Sequence, residues 1–115
     1  MILRIVIGLI AFLVSSAAQA QFYTYQTWST MSEPLRAAYI AGAYDTLGLT
    51  TGSDETAIGA WLHYHACTIR SQMTTWQLSA GVLNFARDKP QFHTGLVQQV
   101  LIAYLNAACG EPPKK

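Results

Sequence analysis

The chain holds two cysteines, Cys67 and Cys109, and between them lie two stretches with helical periodicity joined by a short turn at Pro90. An export-type segment precedes both. Arg4 supplies a positive start, Ile5–Val14 an apolar run, and Ala18-Gln19-Ala20 a small-residue cleavage site. In an exported chain, a lone cysteine pair flanking a helical hairpin is most simply a disulfide. The expected fold class is therefore all-α. It is a small four-helix domain in which one disulfide, Cys67 to Cys109, closes the C-terminal hairpin.

Residues 1–20 read as a signal peptide cleaved after Ala20, which predicts a periplasmic protein. Residues 21–115 then form a single helical domain. The apolar run is shorter than the roughly 20 residues a membrane span needs, so no stable membrane insertion is expected after cleavage. With Arg4 removed, Arg36, Arg70, Arg87, Lys89, Lys114 and Lys115 balance Glu33, Asp45, Asp54, Glu55, Asp88 and Glu111. A neutral domain without a basic cluster argues against nucleic acid and anionic membranes as partners. A protein partner bound by shape and apolar contact fits better, and a homodimer is left open.

The aromatic run QFYTYQTW, residues 21–28, is non-helical in pattern and reads as a short strand or an arm laid over the core. Ser32, Glu33 and Pro34 then mark a helix start. Leu35, Tyr39, Ile40, Ala43, Tyr44 and Leu47 form its apolar arc. Gly42 predicts a close-passing helix and Gly48 the helix stop. Ser53 is the expected cap of a short second helix. Its buried side is Ala57, Ile58, Trp61, Leu62 and His65, and it ends before Cys67. Thr74 and Gln77 match the capping-box pattern of a third helix, with Leu78, Val82, Phe85 and Ala86 inward and Pro90 as its stop. A fourth runs from about His93 to Ala108, with Val97, Val100, Leu101, Tyr104 and Ala108 as its inner stripe.

Few residues argue for chemistry. His63, His65 and Cys67 would share one face of an extended strand and could hold zinc or copper there. On a helix they spread around the axis, and Cys67 is better used in the disulfide. Ser32, Ser71 and Ser79 lack the glycines of a nucleophile elbow, His93 has no evident partner, and the carboxylates are scattered. Trp76, Phe85 and Tyr104 read as core or core-edge residues. No catalytic, metal or cofactor site is expected, and the chain is read as a non-enzyme.

From Cys67 onward the chain resembles the Rap/Tai family of periplasmic immunity proteins, which act against amidase effectors of type VI secretion. The resemblance runs through Cys67, Thr74-x-x-Gln77-Leu78, Val82, Phe85, Asp88-x-Pro90, Leu96-Val97, Ala103-x-Leu105 and Cys109. Tyr39-Ile40-x-Gly42 and Asp45 look like that family's first helix. The chain departs from the family pattern after the first cysteine, where Thr68, Ile69 and Arg70 replace a nearby proline. The resemblance implies a disulfide-bonded helical protein that binds and occludes a cell-wall amidase. Contacts are expected from the loops Gly48–Ser53 and Thr68–Met73, since the helix faces are committed to the core. The other reading is a small periplasmic stress protein of the acid-chaperone kind, typified by HdeA. Six carboxylates offer that second role few groups to titrate.

Overall fold

Val97, Val100, Leu101 and Leu105 recur at helical spacing, and all four are fully shielded from solvent in the computed structural model, which describes residues 22–114. The expected signal peptide and its cleavage after Ala20 lie outside the described residues. The four apolar residues belong to helix α5, Val97–Cys109, which packs against each of the other four helices. Those are α1, Tyr25–Ser29; α2, Glu33–Leu49; α3, Glu55–Arg70; and α4, Thr75–Arg87, followed by a 3-10 turn at Pro90–Phe92. The described residues are all-helical, with five helices where four were expected.

The extra helix comes from the aromatic arm. Thr24 caps α1 by accepting from the Thr27 N–H at 3.3 Å. One turn then places Tyr25 and Trp28 on the same side, and both are buried in the core. The Trp28 indole N–H donates to the Arg36 carbonyl at 3.2 Å. A five-residue helix is too short to be stable alone. Here it is held by an antiparallel bridge from Thr24 to Leu96, in which Tyr25 N–H donates to Gly95 O at 2.9 Å and Val97 N–H to Tyr23 O at 3.1 Å. The rings of Tyr25 and Trp28 thus form part of the core, while Phe22 stays exposed.

The capping box of α4 is complete. Thr74 Oγ1 accepts from Gln77 N–H at 3.1 Å, and Thr74 N–H donates to Gln77 Oε1 at 2.9 Å. Leu78, Val82 and Ala86 turn inward as expected, joined by Ser79. Helix α3 departs further from expectation. Its cap is Asp54, one residue later than Ser53, and Asp54 Oδ1 accepts from Thr56 and Ala57 N–H. The helix does not stop before Cys67 but continues to Arg70. Tyr64, Cys67 and Thr68 therefore define its buried side, and Leu62 faces away at 56 % exposure. Leu35 in α2 and Ala108 in α5 are likewise exposed, whereas Leu105 takes the inner position.

Three glycines report on helix packing. Helix α2 runs one residue past Gly48, where an added Cβ would sit 2.8 Å from Trp61. Gly48 thus makes room for the Trp61 ring rather than ending the helix by its backbone. Gly42 has open space beside it, so no helix passes there. The close approach is at Gly81 instead, where a Cβ would strike the Tyr104 ring of α5. Gly81→Val should therefore lower the melting temperature, since overpacking costs about 1–3 kcal/mol. Gly42→Ala should raise it, by the roughly 1 kcal/mol that alanine gains over glycine in an open helix. Thermal unfolding of the two variants checks both signs.

Candidate functional site

The H-x-H-x-C run lies wholly within α3, so its three side chains point in different directions and meet different partners. Cys67 bonds to Cys109, with the two Cα atoms 5.8 Å apart. His63 Nε2–H donates to the Gly110 carbonyl at 2.9 Å. His65 stacks on Trp61, their ring centres 5.2 Å apart. Among the described residues no group of three or more His, Cys, Asp or Glu side chains could hold a metal ion.

The remaining polar groups that looked available are tied into packing. Thr68 donates to the His65 carbonyl at 3.0 Å, which leaves its oxygen to accept from the Tyr44 hydroxyl at 2.6 Å. His93 stacks on Tyr25, and its Nε2–H donates to the Ala86 carbonyl at 2.9 Å. Burial pushes the Tyr25 phenol above its ordinary pKa, with Arg87 opposing, and burial does the same for Tyr64, with Glu111 adding to it. Both phenols therefore stay protonated and donate, Tyr25 to Leu83 O at 2.6 Å and Tyr64 to Asn106 Oδ1. Ser79 is buried, while Ser32 and Ser71 are exposed at helix ends. Phe85 lies between Phe92 and Tyr104, with Lys89 Nζ 4.4 Å from its ring centre. Trp76, expected at the core edge, is 51 % exposed.

Several large apolar side chains face solvent. Leu49, at the end of α2, is 83 % exposed. It leads into the turn 50–54, where Thr51 Oγ1 donates to Gly48 O at 3.0 Å and Asp54 N–H donates to Thr51 O at 3.2 Å. Gly52 there adopts φ +54°, a left-handed conformation that favours glycine. The second expected contact loop is shorter than Thr68–Met73. Thr68, Ile69 and Arg70 are helical and Thr68 is buried, leaving 71–74 as the turn. Gln72 takes φ +52° in that turn, with Met73 N–H donating to Thr68 O at 3.0 Å. Between the two turns, α3 presents Leu62 and Ile69 outward, both more than half exposed. A separate groove of about 400 Å³, bordered by Phe22, Tyr39, Gly42 and Leu96, opens across α2 and the start of α5.

Compared with known proteins, the chain matches no family, no curated protein and no solved structure. Reading the sequence missed the outward apolar residues of α3. The signal was present as the spacing Leu62, Ala66, Ile69, a second stripe running beside the one that faces the core.

Proposed function

We propose that this protein is an exported, immunity-type binding protein that inhibits a peptidoglycan amidase effector by covering its active-site cleft. The observation that supports the reading best is Leu49. It is a large apolar side chain, 83 % exposed, at the last residue of α2 beside a turn braced by its own hydrogen bonds. An inhibitor must hold its target tightly, and a pre-ordered turn loses little conformational freedom when bound. A protruding leucine at a helix end beside such a turn can enter an enzyme cleft as a buried anchor. The ordered resemblance from Tyr39 to Cys109 gives the class of target. Formal neutrality after signal removal implies binding by shape, with weak dependence on salt.

The test is co-expression in the periplasm of a sensitive host with a peptidoglycan amidase effector, taken from beside this gene where one is encoded there. The wild-type chain should prevent lysis, and purified protein should suppress amidase activity in a stoichiometric complex. Leu49→Asp should lose protection while keeping the wild-type melting temperature, because Leu49 makes little contact with the core. If lysis and amidase activity are unchanged by the wild-type chain, the immunity reading is wrong, and protection of unfolding clients at low pH becomes the function to assay.

A further inference from the structure

Helix α3 carries two apolar faces. Tyr64, Cys67 and Thr68 turn to the core, and Gly59, Leu62, Ala66 and Ile69 lie on the opposite, exposed side. The outward residues step by three, four and three, the spacing of alternate seam positions in a two-helix coiled coil. Their sizes alternate as well: small, large, small, large. An added Cβ at Gly59 would meet nothing within 4 Å.

We propose that α3 pairs antiparallel with α3 of a second copy, about a two-fold axis at the level of Tyr64. That axis brings Leu62 of each copy against Ala66 of the other, and Ile69 against Gly59. Every layer then contains one large and one small side chain, which fills the seam evenly. A parallel pair would place Leu62 on Leu62 and Gly59 on Gly59, crowding some layers and emptying others. Charge favours the same choice. Asp54 and Glu55 lie at the start of α3 and Arg70 at its end. In the antiparallel pair the acidic start of one copy lies about one turn from Arg70 of the other, and the helix dipoles oppose. A parallel pair would bring like charges together. The contact is isologous, so it closes at two copies. One pair of 16-residue helices falls short of the roughly 1,200 Å² of a standard interface, so the dimer is weak and reversible. The pairing is independent of the amidase reading, because Leu49 lies outside the seam.

Sedimentation velocity of the oxidised protein across a wide concentration range tests this. A reversible monomer–dimer equilibrium is expected. Leu62→Asp should raise the dimer dissociation constant at least about tenfold, since it would bury a charge in the seam, without moving the melting temperature. Leu62→Ala and Ala66→Leu should each weaken the dimer, and combining them should restore it by re-forming the large–small layer. A spin label on Ser53→Cys measures direction. The copies' labels should lie roughly 30 Å apart if antiparallel, from a rise of 1.5 Å per residue, and roughly 10 Å apart if parallel. A monomer at every concentration, a dimer indifferent to Leu62→Asp, or the short label distance would each overturn the proposal.

Discussion

Leu101→Asp should abolish folding, and Gln99→Asp should leave the melting temperature within a few degrees of the wild type. Leu101 is fully buried in the middle of α5, on the helix that all the others contact. The substitution removes a buried leucine, worth about 2–3 kcal/mol, and places an unpaired carboxylate where nothing balances it, costing several more. A domain of this size has only about 5–14 kcal/mol of stability in total. Gln99 is exposed in the first turn of the same helix, where its Oε1 accepts from the Leu96 N–H at 3.3 Å. An aspartate there keeps an acceptor beside free backbone N–H groups and suits the positive end of the helix. Circular dichroism melts of the two variants decide the matter, and similar melting temperatures would mean that the helix phase is wrong.

Removing the disulfide should be nearly as severe. Cys67 and Cys109 are separated by 42 residues, and the bond ties the last turns of α3 and α5 together across α4. In the chain-entropy account, a loop of this length limits the unfolded chain by about 4 kcal/mol. For a domain this small, that corresponds to roughly 15–30 °C in melting temperature. Cys67→Ser and Cys109→Ser should lose similar amounts, and the double variant little more, because each deletes the same bond. Thiol labelling of the native, unreduced protein is the direct check, and two labelled cysteines would refute the claim.

Much of the fold can be read in the residues wherever one local rule acts without competition. Thr74 and Gln77 announce the start of α4, Pro90 its end, and the Val97–Leu101 pattern the interior helix. The arm is different, because α1 cannot form on its own. Its geometry is imposed by the bridge to Leu96 and the burial of Trp28, contacts more than a local window away. In α3 the stripes at Leu62 and Tyr64 are both apolar, and only the position of Cys67 inside the helix decides which one faces inward. Setting that cysteine outside the helix reversed part of the assignment. Glycine carries a similar ambiguity. Gly42, Gly48 and Gly81 look alike in sequence, yet one borders a groove, one receives Trp61 and one receives Tyr104. The exposed Leu49 could not be told from a core leucine, since periodicity marks apolar residues without saying what lies against them.

The central position of α5 sets the order of assembly. Helices α1 to α4 all precede it in the sequence and all pack against it, while α2 and α4 also pack on each other. A chain emerging in order from a ribosome therefore lacks the fully buried centre of its interior until Val97–Leu105 has followed. Helices α2 and α4 can meet before that, whereas α1, whose packing is on α5, should stay loose. Folding should then occur in one late step, with Cys109 arriving beside Cys67 as that step ends. In vectorial synthesis, the last helix to appear is thus the one that locks all the others in place.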